Sequence, residues 1–199
     1  MKKLIYTIAL AVLGIFSASA QDVTAKLNEA KSEYAGGNLD NARFALQDVL
    51  NQINQAIGKD ILAILPANLG GMAVNSKDDN VTGAAGFAGL FVNRTYGTET
   101  KTAKIEIMSD SPMLTSLNAI LALPAIMGNS DPNQKRVKIA GYKAVLQKEN
   151  SQTDNGSYTL QVPINNTLLT FRVTGFPNDN DVVNMANSLP IDQIAKIAQ

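Results

Sequence analysis

The sequence contains no cysteine, no histidine and no tryptophan among its 199 residues. Without cysteine, the chain can form no disulfide bond and has no thiol to carry a lipid anchor. Without histidine, it can build neither a Ser-His-Asp nor a Cys-His nucleophilic centre, and zinc would lack its usual nitrogen and sulfur ligands. Any acid–base chemistry would depend on Asp, Glu, Lys or Tyr. These absences make a hydrolase less expected without excluding one, and we predict no cofactor, no metal site and no catalytic residue.

Residues 1–20 carry the pattern of a secretory signal peptide. Lys2 and Lys3 precede an apolar run over residues 4–16, and Ala18-Ser19-Ala20 supplies the small-x-small pattern that signal peptidase recognises. The apolar run is short for a membrane span, and no stop-transfer stretch follows it. We therefore expect an exported protein, periplasmic or secreted, with no stable membrane anchor after cleavage.

The mature chain also lacks an excess of charge of either sign. Of the 17 basic residues, Lys2 and Lys3 lie in the signal segment, which leaves 15 against 17 acidic residues. A nucleic-acid binder needs a basic face, and so does a polybasic module for a membrane surface. No run of Lys or Arg stands out. We predict a protein or small-molecule partner rather than nucleic acid.

Residues 21–67 are predicted to form an antiparallel helical hairpin. Two stripes with the helical period are separated by Gly36-Gly37-Asn38, and Gly58 and Pro66 are expected to interrupt and end the second helix. The two stripes comprise Val23, Leu27, Ala30 and Tyr34, then Ala42, Leu46, Val49, Leu50, Ile53 and Ile57. The hairpin either closes the core by lying on a sheet or presents its stripe to a partner helix, and the ordinary width of the stripe favours the first.

Residues 68–88 are rich in Gly, Ala, Asn and Asp and are predicted to be a linker or exposed loop. Asp78-Asp79-Asn80 is expected to be a solvated part of it. The spacing of Gly83, Gly86 and Gly89 has two interpretations. A phosphate-binding loop would need a following Lys and a helix, and neither is present, so a flexible entry to a strand is favoured.

From residue 89 to residue 199 the apolar period changes to two, with two helical segments. The order β-β-α-β-β-β-β-α predicts an antiparallel sheet with packed helices, an α+β fold. Ser111 and Pro112 are expected to begin a heavily buried helix, with Ser111 as its cap. Pro163 is expected to place its strand at an edge or at a bulge. The predicted strands cover residues 90–96, 103–107, 136–140, 142–148, 158–164 and 169–173.

The sequence resembles known proteins in three respects. The element order resembles the PsbP/Mog1-like sandwich in topology, and Asp110-Ser111-Pro112 together with residues 137–144 is similar to an uncharacterised family of exported bacterial proteins. The hairpin resembles one tetratricopeptide-type unit through Ala30, Tyr34, Gly37, Ala42 and Leu46. The PsbP/Mog1 resemblance implies a non-catalytic binding partner, and the tetratricopeptide resemblance implies a unit that needs neighbours to bury its faces.

Arg94, Tyr96 and Tyr142 are the candidate binding residues. Arg94 and Tyr96 alternate with apolar residues on one face of a strand, where they would rim a pocket if the sheet were incompletely covered. The alternative is a cross-strand pair of Arg94 with Glu106, with the two tyrosines packed at the sheet edge, and this alternative is favoured.

Two further patterns point to chemistry only loosely. Asn178-Asp179-Asn180-Asp181 suggests calcium, but an EF-type loop would need Gly and Glu where Asn184 and Pro190 stand, so helix capping is favoured. Thr98-Glu99-Thr100-Lys101 holds a Thr-Lys pair. Such a pair would need a buried lysine, whereas an exposed hairpin loop is predicted here.

The sequence thus predicts a non-catalytic exported binding or interaction protein. One alternative is a hydrolase that uses carboxylates or a Ser/Thr-Lys pair. Another is a carrier of a small apolar ligand held between the sheet and the helix over residues 112–127, in a cavity lined by Leu114, Leu117 and Leu121. Carboxylates converging with lysine in one cleft would favour the enzyme. A closed core with an exposed apolar patch would favour the interaction protein.

Overall fold

The computed structural model describes residues 22–83, 89–123, 131–149 and 156–198. The predicted signal peptide over residues 1–20 therefore lies outside the described residues, and so do Gly86 and Pro124. The chain divides into two units, one ending at Asn54 and one beginning at Gln55. The predicted α+β fold with an N-terminal helical hairpin is confirmed.

The elements follow one another in a simple order along the chain. Helix α1 covers residues 22–35. The other helices are α2 (Leu39–Ile64), a 3₁₀ helix (Ser76–Asp78), α3 (Leu114–Ala122), α4 (Asp179–Asn187) and α5 (Ile191–Ile197). The strands are β1 (Asn68–Leu69), β2 (Met72–Ala73), β3 (Asn80–Gly83), β4 (Leu90–Thr98), β5 (Lys101–Ser109), β6 (Gln134–Ile139), β7 (Tyr142–Glu149), β8 (Ser157–Ile164) and β9 (Thr167–Thr174).

The N-terminal unit is a helical hairpin with a seam of small residues. Gly37 has a φ of 80°, which ends α1 and turns the chain back. Lys26 reaches Asp48 at 3.6 Å across the hairpin, as expected for antiparallel helices. The buried seam consists of Ala30, Ala42, Ala45 and Val49. The seam thus uses only part of the predicted apolar stripes.

The second unit is built on a seven-stranded sheet with the order β3-β4-β5-β9-β8-β7-β6, in which every neighbouring pair is antiparallel. Two-residue turns join two of the hairpins, at Ala140-Gly141, where both residues have positive φ, and at Asn165-Asn166, where Asn165 does. All six predicted strands are present. Strands β1 and β2 form a small hairpin of their own.

One face of the sheet carries the main core. Side chains alternate along each strand, so Leu90 and Val92 on β4 and Leu160 and Val162 on β8 point into this face. The last turns of α2, the β1–β2 hairpin, α4 and α5 contribute the opposing apolar side chains, including Ile61, Leu69, Val182 and Ile194.

The opposite face is covered by α3 over one part of its area. Leu117 and Leu121 of α3 pack on Val145 of β7 and Leu168 of β9, and these four residues form a separate apolar cluster. The predicted heavy burial of this helix is wrong, because only Leu117 and Leu121 of its nine residues are buried. The helix is amphipathic and buries one side only. The predicted carrier cavity would lie here, yet Leu117 and Leu121 contact the sheet directly.

Three predictions between residues 58 and 88 are wrong. Gly58 does not interrupt α2, which runs continuously past it. The linker predicted over residues 68–88 instead contains β1, β2, the 3₁₀ helix and the edge strand β3, with residues 84–88 outside the described part. Asp79 is not solvated, because its side chain is 15% exposed and paired with Arg94. Short strands with few apolar residues gave no periodic signal.

Three details of the sheet domain also differ from the predictions. Helix α3 begins at Leu114 after Met113, and Ser111 does not cap it through its side chain, although the carbonyl of Ser111 accepts the Leu114 amide. Strand β8, which holds Pro163, is an interior strand and not an edge. Its pairing with β7 stops at Gln161, so the missing amide of Pro163 lies beyond that ladder.

Candidate functional site

Arg94 lies on β4 and is fully engaged by neighbouring groups of the protein. Its Nε donates to Oδ1 of Asp79 at 2.9 Å and its Nη2 donates to Oδ2 at 2.6 Å. Its Nη1 donates to the carbonyls of Leu62 at 2.8 Å and Leu65 at 3.2 Å. The hydrogen bond with Asp79 raises the pKa of Arg94. The predicted pairing with Glu106 is wrong, because Arg94 stands opposite Ile105 in the register and Glu106 therefore points to the other face.

Tyr96 lies two residues further along the same strand and is completely buried. Its hydroxyl donates to the carbonyl of Pro66 at 2.9 Å. Burial raises the pKa of Tyr96, and the nearby Arg94 opposes that shift only in part. Arg94 and Tyr96 together therefore satisfy three carbonyls at the C-terminal end of α2, where a cation also suits the helix dipole.

Tyr142 is not brought near the other two predicted residues. It begins β7, which is four strands away from β4 in the sheet, and it is half-buried against the main core. With Tyr96 buried and every nitrogen of Arg94 engaged, those two side chains face protein, and neither lines any of the four clefts described below. Their binding role stays a prediction, and their geometry assigns them to the junction between helix and strand.

A first cleft, of about 410 Å³, lies beside Phe176. The ammonium of Lys101 stands 4.3 Å from the centre of the Phe176 ring, a cation–π contact. The cleft also exposes Asp181, and Met185 forms part of its wall. Lys101 itself is exposed at the β4–β5 turn. The lysine is thus exposed in a turn, as predicted, and the Thr-Lys alternative lacks the buried lysine that it would need.

A second cleft, of about 360 Å³, brings Lys135, Lys148, Tyr158 and Asp179 together. Lys135 and Asp179 form an ion pair. Their hydrogen bond raises the pKa of Lys135 and lowers the pKa of Asp179. Both groups are thereby held in their charged forms. A nucleophilic lysine and a general acid would need shifts of the opposite sign, so this pair does not support the hydrolase alternative.

Two adjoining clefts of about 320 and 300 Å³ lie at the corner where α3 meets β6 and β7, and both are lined by Leu121 and Lys143. We call this region the basic corner and define it by Leu121, Leu123, Arg136, Lys138 and Lys143. Leu121 was predicted to line a cavity between sheet and helix, but the three basic residues were missed from the sequence, although residues 132–148 include five basic residues and no acidic one. The basic residues are spaced along two strands, so no run marked them.

The hairpin carries the other conspicuous surface of the described residues. Six large apolar side chains are 42–71% exposed, and we call them the hairpin face: Leu27, Tyr34, Leu39, Leu46, Leu50 and Ile53. Five of them lie three positions before or four positions after a buried seam residue, and Leu50 directly follows the seam residue Val49. This displacement is the same on both helices, and because the helices are antiparallel, it brings these side chains to one face.

The described residues contain no further candidate for a metal site and no candidate membrane span. No group of three or more acidic side chains there is placed to hold a metal ion. No helix among those residues is long and apolar enough to cross a membrane. The Asn178–Asp181 segment contributes Asn178 as the cap position of α4, and the carboxylate of Asp179 pairs with Lys135.

No family model matches this sequence, and no curated protein or solved structure is significantly similar to it. The resemblances predicted from the sequence therefore stay predictions.

Proposed function

We propose that this chain is a non-catalytic, exported binding protein that pairs with a second copy of itself through the hairpin face. The observation that supports the proposal is the exposure of six large apolar side chains on one side of a two-helix unit. Contiguous apolar surface of this kind marks an interaction site. The predicted tetratricopeptide-type character points the same way, because such a unit needs a neighbour to cover its outer side.

The spacing on α2 suits a helical partner. Leu39, Leu46, Leu50 and Ile53 are separated by seven, four and three residues, which is the pattern of a seam between packed helices. On α1, Leu27 and Tyr34 are seven residues apart and extend the same face. Two hairpins placed face to face would therefore form a four-helix bundle.

The energetic balance favours a second copy over a single foreign helix. Fully burying a leucine-sized side chain contributes about 1.5–3 kcal/mol, and these six are already about half covered. Closing one face therefore contributes on the order of 5–9 kcal/mol, and a symmetric pair closes two faces at once. The total of roughly 10–18 kcal/mol exceeds an association cost of roughly 4–15 kcal/mol by a modest margin. A dimer of moderate affinity is expected.

Sedimentation equilibrium of the mature chain over about 1 μM to about 500 μM protein would test the proposal. We expect a concentration-dependent dimer that is lost in Leu46→Glu/Leu50→Glu, because four carboxylates would have to be buried in the pair. The matched control is Phe44→Glu. Phe44 is also exposed, at 56%, but it lies on the opposite side of α2, under the guanidinium of Arg43.

Three outcomes would contradict the proposal. The wild-type chain could remain monomeric at the highest concentration, or Phe44→Glu could dissociate the dimer as fully as the double variant does. The chain could also co-purify with a different polypeptide instead of forming a dimer. Loss of that polypeptide in Leu46→Glu/Leu50→Glu would show that the hairpin face binds a foreign partner. Circular dichroism of each variant would establish that the helices are intact.

A further inference from the structure

We infer that the basic corner binds the anionic head of an amphiphilic molecule, a carboxylate or phosphate group joined to an apolar chain. The inference does not depend on the proposed pairing, because the corner belongs to the unit that begins at Gln55.

The first observation is a pair of like charges placed directly opposite each other. Lys138 on β6 and Lys143 on β7 are register partners, so their side chains leave the same face of the sheet side by side. Neither forms an ion pair with any carboxylate among the described residues. Like charges in this arrangement are destabilising when nothing compensates them. An anion between the two ammonium groups would remove that penalty.

The second observation is an incompletely satisfied guanidinium beside the two lysines. Arg136 lies two residues before Lys138 on β6 and therefore on the same face. Its Nη1 donates to the carbonyl of Leu123. Its Nη2 is withdrawn from water and has no hydrogen-bond partner within the described residues. Such groups are rare in proteins. Because Arg136 also lines the adjoining cleft, an anion bound there would offset the charge of the guanidinium without contacting Nη2 directly.

The third observation is the apolar wall next to these cations. Leu121 is buried against the sheet, and Leu123 beside it is 48% exposed. Leu121 lines both clefts together with Lys143, and Pro163 completes one of them. A ligand with only a charged head would leave this wall in water. An alkyl chain attached to the head would cover it.

Protection of the sheet edge is the competing explanation, since lysines on an edge strand discourage pairing with other chains. It accounts for Lys138, because β6 is the last strand of the sheet. It does not account for Lys143, which lies on the interior strand β7. It also leaves Nη2 of Arg136 unexplained.

Isothermal titration calorimetry of the mature protein with four probes would test the inference, with each amphiphile kept below its critical micelle concentration. The probes are dodecyl phosphate, dodecanoate, inorganic phosphate and dodecanol. We expect saturable binding of at least one of the two anionic amphiphiles, weakened by added salt, with little heat from the other two probes. Which amphiphile binds more tightly identifies the head group as phosphate or carboxylate.

Variants connect the binding to the corner. Lys143→Gln should weaken the bound amphiphile about five- to tenfold, the effect expected for one charge-assisted contact. The matched control is Lys148→Gln, since Lys148 is an exposed lysine on the same strand whose side chain leaves the opposite face. Leu46→Glu/Leu50→Glu should bind the amphiphile unchanged, which separates this inference from the dimer.

Four results would overturn the inference. These are no binding of either amphiphile, equal binding of dodecanol, equal binding of inorganic phosphate, and equal losses in Lys143→Gln and Lys148→Gln. Equal binding of dodecanol would remove the role of the cations, and equal binding of inorganic phosphate would remove the role of Leu121 and Leu123.

Discussion

Arg94 and Asp79 form a two-pronged ion pair that joins the segment after the 3₁₀ helix to strand β4. Two nitrogens of the guanidinium meet the two carboxylate oxygens at 2.9 and 2.6 Å. Only 11% of the Arg94 side chain and 15% of the Asp79 side chain is exposed. Because the remaining nitrogen binds carbonyls at the end of α2, this one pair fixes three segments of the chain to one another.

Asp79→Asn should therefore be strongly destabilising. The change keeps the shape of the side chain but leaves the arginine charge largely withdrawn from water, where an unpaired charge costs about 3 kcal/mol or more. We expect the free energy of unfolding, measured by urea denaturation, to fall by about 3 kcal/mol.

Arg172→Gln is the control for that change. Arg172 pairs with Glu106, yet its side chain is 54% exposed, so its loss should cost less than about 1 kcal/mol. Similar losses in the two variants would show that the Arg94–Asp79 pair contributes no more than a surface ion pair.

Tyr96→Phe should separate two contributions of Tyr96 to the stability of the protein, that of its hydrogen bond and that of its ionisation. At neutral pH the variant leaves the Pro66 carbonyl without its donor, and we expect a loss of about 1–2 kcal/mol in the free energy of unfolding. Burial raises the pKa of Tyr96 above its ordinary value near 10, so the folded protein keeps this proton when the unfolded chain has lost it. The free energy of unfolding should consequently fall as the pH rises above 10.

The phenylalanine variant has no such proton, so its stability should decline less steeply over the same alkaline range. Urea denaturation of both proteins at a series of pH values between neutral and the alkaline limit of folding would show this. Parallel curves for the two proteins would contradict a raised pKa at Tyr96.

The sheet domain was largely predictable from the sequence, because strands such as β5, β8 and β9 carry an apolar residue at every second position over five or more positions. Tyr158 to Ile164 alternates without a break and lies where it was predicted. The segment between α2 and β4 was not predictable in the same way. Strand β3 has four residues, and its place in the sheet depends on pairing with β4, a long-range contact that local periodicity does not report.

The candidate sites were less predictable than the fold. Arg94 and Tyr96 were predicted to share a strand face with Leu90 and Val92, but their hydrogen-bond partners lie 15 to 32 residues away in the sequence. The basic corner depends on register, since only the pairing of β6 with β7 sets Lys138 opposite Lys143. All residues of the hairpin face except Leu39 belong to the predicted apolar stripes, but the sequence could not tell which residues of the stripes would be covered.

Gly58 gives the sharpest test of the packing of α2 on the sheet. In a helix interior, replacing glycine by alanine normally raises the free energy of unfolding by about 1 kcal/mol. Here a β-carbon would lie 2.3 Å from Cγ1 of Val81 and 3.1 Å from Cδ1 of Leu90. Distances as short as these would force the helix or the strand to move. We therefore expect Gly58→Ala to destabilise the protein by about 1–3 kcal/mol, although alanine has the higher helix propensity.

The companion variant Val81→Ala removes the methyl group that Gly58→Ala would strike. The double variant should therefore be more stable than the sum of the two single losses predicts, with a coupling energy of about 1 kcal/mol or more. Gly36→Ala serves as the control, because a β-carbon there meets nothing closer than 3.5 Å and its backbone is not left-handed. Additive losses at Gly58 and Val81, or a stabilising Gly58→Ala, would mean that α2 does not lie this close to β3.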